Sequence, residues 1–545
     1  MKKFILLCTF CWGMLVPGAR ACTSFLAGRN ATIDGSTFIT YAADSHTLYG
    51  ALKFIPAARH PKNSTMEIRE WDTNKLLGHI PQVEYTYKVV GNMNEHQLSI
   101  TESTWGGRPE LVDTTGIIDY GSLMYIALQR AKTAREAITV MTDLVSEYGY
   151  YSSGESFSIA DPEEVWIMEM IGKGPQNQGA VWVAVRIPDD CIAAHANQSR
   201  IHKFPLDDKE NCLYSPDVIS FAREQGYFNG LNKDFSFADA YAPADFGALR
   251  GCEARVWSFY NRFNSSMGKY LSYLNGKSKE YLPLYIKPDK KLSVQDMKDA
   301  MRDHFEGTPF DMTQDVGAGP FKCPYRFRPM TFNVDSVEYT NERAVATQQT
   351  AFTLVAQMRS WLPNAIGGVL WFGVDDTNTC VYVPLYACLN EVPECYSELN
   401  GSMYDLSWTS AFWIHNWVAN MAYSRYDQMI EDIRPVQKDI ETTFNVQQPV
   451  IEKVANDLYR NDPVAAIRFL NAYSVAQAQQ TTVQWKKLGE FLLVKYLDGN
   501  RKKEKGGHFL ENGYGLPADP DFPGYSEEYY RAVAKDAGDR LKVAF

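Results

Sequence analysis

The chain has 545 residues, a formal net charge of −11 with histidine neutral, and 45% hydrophobic residues. This balance excludes a basic nucleic-acid-binding protein, because no surplus of Lys and Arg is available to neutralise phosphates. The length allows one large domain with an extension, or two or three domains.

The first residues read as a secretory leader. Lys2 and Lys3 precede the apolar run FILLCTFCWGMLV (4–16), Pro17-Gly18 breaks it, and Ala19-Arg20-Ala21 has the small-x-small pattern of a signal-peptidase site. The run is too short for a helix crossing a bilayer core of about 30 Å, and no later stretch approaches the roughly 20 apolar residues such a helix needs. The expectation is a signal peptide over 1–21 and an exported protein, periplasmic or extracellular, without stable membrane insertion. Cleavage after Ala21 would make Cys22 the first residue. The cysteines beyond it are widely scattered and have no compact scaffold spacing, so the sequence assigns no disulfide.

Beyond the leader, TSFLAG (23–28), the Asp34-Gly35 turn and TFITYA (37–42) predict a hairpin. YKVVGN (87–92) and QLSITES (97–103) predict a second strand pair around residues 93–96. Apolar residues recurring at three and four predict one long helix over 120–149. SFSIAD (156–161), EVWIMEMI (164–171), AVWVAVRI (180–187) and CIAAHA (191–196) read as four strands separated by Pro, Asp and Gly turns. The region 205–345 is less regular, with helices near 235–245, 255–273 and 294–305. Strand character returns in 367–376 and 380–388. From Ser407 to Lys495 helical periodicity dominates, and the tail from 500 is charged and then rich in Gly and Pro. The expected organisation is a mixed domain over 22–392 and a mainly helical extension over 393–545.

A cysteine at a free N-terminus carries a nucleophile and a base on one residue. The thiol has an ordinary pKa near ~8.5 and the α-amine near ~7.7–8.0. The amine is therefore partly neutral near pH 7 and can take the thiol proton without a histidine partner. Two other readings stand beside this one: Cys22 as a small structural residue or disulfide partner, and Cys22 as a lipidation site. Ala19 at −3 and Arg20 at −2 argue against lipidation.

ACTSFLAGRNATIDGSTFITYAADS (21–45) resembles the start of the cysteine dipeptidase A family of N-terminal nucleophile (Ntn) hydrolases. Further blocks follow in order: NEHQLSITES (94–103), EVWIMEMIGKG (164–174), WVAVRIPDDCIAAHANQSRI (182–201), RDHFEGTPFDM (302–312) and RSWLPNAIGGVLWFGVDD (359–376). The resemblance implies an α+β fold, a four-layer αββα Ntn-hydrolase sandwich with a helical C-terminal extension. It implies a dipeptidase acting on short peptides with a free amino end through a thioester acyl-enzyme, with no metal or other cofactor.

Residue by residue, the resemblance makes Cys22 the nucleophile and base, and Asp44 the carboxylate that holds the α-ammonium or a nearby donor. It makes Asn197 the oxyanion donor and Arg255 an active-site arginine. Structural readings remain for each: a turn or cap for Asp44, a strand-end turn for Asn197, a salt bridge for Arg255. Bile-acid and penicillin-cleaving relatives carry an arginine three residues before the aspartate, where this chain has Tyr41. That departure moves the expected substrate toward dipeptides and places Tyr41 at the substrate site. Glu95 and Glu102, acids beside strand-like runs, are candidates for binding the substrate's ammonium, or are solvated strand ends.

Asp303, His304 and Glu306 in RDHFEGTP lack the two-histidine spacing of a metal motif. No GxSxG elbow or phosphate loop occurs. An Ntn amidase acting on another acyl amide, of bile-acid or penicillin type, and a lipidated non-enzymatic surface protein are the alternatives. The oligomeric state is not legible.

Overall fold

The computed structural model describes residues 22–543; the leader expected over 1–21 lies outside them. TSFLAG and TFITYA form the expected hairpin. Strand β1 (Ser24–Ala27) runs antiparallel to β2 (Thr37–Asp44), with Leu26 opposite Ile39. The second expected pair is more complex: β3 (Ser99–Trp105) reaches Val89–Val90 only through the short strand Met93–Asn94 between them.

The long helix expected over 120–149 is two helices, α1 (Tyr120–Arg130) and α2 (Ala134–Tyr148). Thr133 caps α2 by accepting from Glu136 N–H, and the Asp161 carboxylate accepts from Ala134 N–H at 2.8 Å. The Asn94 amide takes up the Leu128 and Ala131 carbonyls at the end of α1. Side chains remote in sequence thus satisfy the backbone groups that a break exposes.

Strands β4 (Gly154–Ala160), β5 (Val165–Gly172), β6 (Ala180–Arg186) and β7 (Ile192–His195) follow the expected runs. Helix α3 (Ala254–Phe263) emerges directly from a π-helical turn over Leu249–Glu253, and α4 (Val294–Met301) has a capping box made by Ser293 and Asp296. Strand β8 (Thr350–Met358), which the sequence reading passed over, precedes β9 (Val369–Val374) and β10 (Val383–Tyr386). The helical run is α5 (Ala411–Ser424), α6 (Tyr426–Asn461, with Pro435 and Pro449 inside it) and α7 (Pro463–Lys495).

These elements make an α+β protein built on two large antiparallel sheets. The first runs Tyr285–Ile286, β7, β1, β2, β8, β9, β10; the second runs Cys212–Tyr214, β6, β5, β4, β3, Met93–Asn94, Val89–Val90, Phe54–Ile55. Strand β2 packs against β3 and β4 of the other sheet, and Thr101 Oγ1 donates to Thr40 O across the gap at 3.2 Å. Helices α1 and α2 close a separate apolar cluster over the second sheet, with Leu123, Ile138 and Met141 fully buried. Helix α4 lies on β2 and β8, and α7 lies on β10. Strand β2 is buried at every position because both its faces are covered, which is why TFITYAAD lacks polar alternation.

Candidate active site

Cys22 stands two residues ahead of β1, and between them Thr23 exchanges backbone hydrogen bonds with Ala42 of β2. That pairing sets the sulfur beside the end of β2 and within reach of β3 of the facing sheet. Cys22 Sγ lies 3.3 Å from Glu102 Oε1 and 3.8 Å from Tyr41 Oη, and Tyr41 donates its phenol proton to the same Glu102 oxygen. Burial pushes the Cys22 thiol well above its usual pKa, and the negative charges of Glu102 and Asp44 add to this; the Asp44 backbone N–H, which points at the sulfur, works the other way. The resting thiol is therefore protonated.

The Asp44 carboxylate has partners of its own. It is paired with Arg343 and accepts from Thr350 Oγ1 at 2.6 Å. Burial raises its pKa, opposed chiefly by Arg343.

Asn197 follows β7 in the left-handed region, at φ 59°, a conformation that Asn tolerates better than most residues. Three bonds hold it there: its N–H donates to Ser103 Oγ (3.2 Å), its Nδ2 to Thr104 O (2.5 Å), and its Oδ1 accepts from Arg255 Nη2 (2.9 Å). Ser103 in turn touches His195 Nδ1 at 2.6 Å, while His195 Nε2 meets Ser158 Oγ at 2.7 Å. Burial, with Arg200 and Arg255 nearby, lowers the His195 pKa to about 3, so the ring is a neutral strut between two hydroxyls. The loop after Asn197 is anchored by buried Glu169, which accepts from Ser199 Oγ and from the N–H groups of Arg200 and Ile201.

Arg255, from the first turn of α3, is fully engaged. Its five N–H groups go to Gly251 O, Cys22 O, Thr23 Oγ1, Ala196 O and Asn197 Oδ1, at 2.7–3.1 Å. Burial and then Arg343 lower its pKa to about 10, and it stays charged at neutral pH. The geometry can present a thiol beside a carboxylate, next to an amide locked by a guanidinium.

The sequence profile of peptidase family C69 matches residues 21–439. The chain belongs to this family. It is a peptide hydrolase. A probable dipeptidase of Latilactobacillus sakei is 27% identical over 425 residues, covering 74% of this chain and 82% of that protein. A probable dipeptidase of Salmonella dublin is 27% identical over 408 residues, covering 71% and 85%. A probable dipeptidase B of Streptococcus pyogenes serotype M1 is 23% identical over 512 residues, covering 88% and 94%.

In this C69 peptidase Cys22, Tyr41, Asp44, Glu102, Asn197 and Arg255 converge. Glu95 does not join them. It sits in the turn that precedes β3, where its carboxylate accepts from Lys88 N–H at 3.1 Å. Asp303 accepts from Ser258 and Arg262, while His304 Nδ1 meets Glu306 at 3.1 Å. All eight cysteines among the described residues are free thiols.

Three members of the C69 site escaped sequence reading: Arg343, Ser103 and His195. Ser103 and His195 stood inside matched blocks, but their pairing needs the register of two different sheets. Arg343 lies in the irregular region and meets Asp44 across 299 positions.

Two cavities border this cluster. One of about 270 Å³ is walled by Leu48, Tyr49, Trp71, Tyr125 and Phe352, and Phe352 packs edge-on against Tyr41. The other, about 340 Å³, has Arg343 in its wall.

Proposed function

We propose that this peptidase is an exported dipeptidase whose nucleophile is Cys22, presented at the N-terminus once the leader is removed. The observation that carries the reading is the Cys22 sulfur held 3.3 Å from Glu102 while Arg255 joins the Cys22 carbonyl to the Asn197 amide. The two facing sheets with helices outside them support the αββα sandwich of Ntn hydrolases, with the helices after residue 393 as its extension. The names of the relatives support dipeptides as substrates.

The free α-amine of Cys22 takes the thiol proton as sulfur adds to the peptide carbonyl, forming the C–S bond. Asn197 Nδ2 donates to the oxyanion, a contact of a kind worth ~3–4 kcal/mol in the transition state. The tetrahedral intermediate collapses as the protonated amine returns its proton to the departing nitrogen. Water, deprotonated by the same amine, then cleaves the thioester and frees the thiol.

Glu102 explains a preference for a free amino end. In a peptide the α-nitrogen is about 2.5 Å from the carbonyl carbon, so a carboxylate touching the attacking sulfur is placed to receive an α-ammonium. That ammonium would also cancel the negative charge that holds the thiol protonated, so binding the correct substrate activates the nucleophile. The aromatic cavity beside Tyr41 would take the side chain of the acyl residue.

Intact mass and N-terminal sequencing of the exported protein, together with Cys22→Ser, test the proposal. The expected result is a chain beginning at unmodified Cys22, active on dipeptides and inactive as the serine variant. A diacylglyceryl mass on Cys22, or near-native activity of Cys22→Ser, overturns it. Turnover of conjugated bile acid or penicillin V in place of dipeptides overturns the substrate class.

A further inference from the structure

The 340 Å³ cavity begins where the catalytic cluster ends. Arg343 lines it and is paired with Asp44, whose backbone N–H reaches the Cys22 sulfur. Its other charged walls differ in one respect. Arg326 is paired with Asp315 at 2.7 Å, and Glu342 is paired with Arg250. Arg328 alone among these wall charges has no carboxylate of the described residues within ion-pair distance; its only described hydrogen bond is from Nε to Gln349 Oε1 at 2.9 Å. The amide nitrogens of Gln348 and Gln349, on the same wall, are sealed from solvent and have no hydrogen-bond partner. An exposed guanidinium with unspent donors, beside two buried amides that lack partners, suits a planar anion.

We infer that Arg328, with Gln348 and Gln349 beside it and Arg343 behind it, binds the C-terminal carboxylate of the substrate's leaving residue. The inference rests on the proposed reading of Cys22 as nucleophile. In that reaction the departing nitrogen must sit next to the Cys22 α-amine that reprotonates it. In a dipeptide the carboxyl carbon is three bonds from the scissile carbonyl, about 3–4 Å away. The link from this wall through Arg343 to Asp44 assigns that carboxylate to the Asp44 side of Cys22. The two ends of the substrate would then be read by opposite charges, Glu102 for the ammonium and Arg328 for the carboxylate, which restricts turnover to peptides short enough to reach both.

Two features of the surroundings favour an anion. Burial, together with Arg343, lowers the Arg328 pKa, so the guanidinium gains from a counter-charge. His46, on the same wall, has its pKa lowered by burial and by Arg328, whose positive charge therefore reaches into the cavity.

The experiment compares an L-dipeptide with its C-terminal amide in the wild type, Arg328→Met and Arg328→Lys. In the wild type kcat/KM for the amide should be at least tenfold lower. Arg328→Met should lower kcat/KM for the free dipeptide at least tenfold and leave the amide within twofold, erasing the discrimination. Arg328→Lys, which keeps the charge without the planar fork, should fall between. A wild type that does not distinguish the two substrates overturns the inference, as does an Arg328→Met loss that is equal on both. The wild-type comparison stands even if a variant fails to fold. A failure of the nucleophile reading shows separately, as activity of Cys22→Ser on both substrates.

Discussion

Arg255 donates from one terminal nitrogen to the Cys22 carbonyl at 2.8 Å and from the other to Asn197 Oδ1 at 2.9 Å. One rigid plane therefore fixes the distance between the thiol-bearing residue and the amide beside it. With all five donors engaged, Arg255 has none to offer a substrate, and its part is positioning. Lysine cannot reproduce a planar two-point contact. Arg255→Lys should lower kcat about 100-fold, the scale of losing one oxyanion donor, with KM changed less than threefold. Steady-state kinetics on a dipeptide, with thermal unfolding as the control for folding, checks this; a rise in KM at unchanged kcat would refute it.

Glu102→Gln separates two roles of one carboxylate. Removing its charge takes away a cause that holds the Cys22 thiol above its usual pKa, so the thiolate should form at lower pH. The rate of Cys22 alkylation by iodoacetamide should rise at pH 7 and its pH profile should move to lower values. Over the same change kcat/KM for a dipeptide with a free amine should fall at least tenfold, since the ammonium loses its counter-charge. An N-acetylated dipeptide, which has no ammonium to lose its counter-charge, should not share this fall. A more reactive thiol on a less active enzyme is the distinguishing outcome; parallel loss of both would count against ammonium recognition.

How far the sequence foretold this arrangement depends on the range of the signal. The hairpin of β1 and β2 was legible because strand, Asp34-Gly35 turn and strand are local. Strand β8 was not, although it is the partner of β2 on its other side. TAFTLVAQM is buried at every position, so it has no alternation to mark it and no Gly or Pro at its ends. Glu95 and Glu102 looked alike as acids beside a strand. Glu95 lies in the turn before β3 and Glu102 in its middle, and only the register of β3 against β4, with Glu102 opposite Phe157, decides which one meets Cys22. Arg343 and Arg328 gave no local pattern at all.

Glu441 ties the C-terminal helices to the catalytic sheets. From α6 its carboxylate accepts from Arg302 Nη2 at 2.5 Å and from Tyr382 N–H at 2.9 Å, with both charges buried. Glu441→Ala leaves the Arg302 guanidinium buried without this partner. It should destabilise the fold by ~3–5 kcal/mol, the scale for breaking a buried pair from one side. Denaturant unfolding measures this, and a loss below ~1 kcal/mol would show that α6 is held by its apolar contacts alone.

Asp375 gives the protein a pH-dependent weakness just outside the site. It follows β9 with φ 66°, and its Oδ1 accepts from Nδ2 of Asn416, a residue in the wall of the Arg328 cavity. Burial raises its pKa to about 8, and the neighbouring charge of Asp376 adds to the rise. The unfolded group titrates near ~3.9, so between about pH 4 and pH 8 the native state keeps a proton that the unfolded state has lost. Stability from this group is therefore full below the lower value and declines as pH rises toward 8, by up to ~1.4 kcal/mol per pH unit. Asparagine matches the protonated acid in shape, keeps an oxygen for Asn416 and accepts the left-handed backbone. Asp375→Asn should raise Tm above that of the wild type at pH 8, by a margin that shrinks steadily toward pH 5. Thermal unfolding across that range decides it, and a margin independent of pH would mean that Asp375 is ionised in the folded protein.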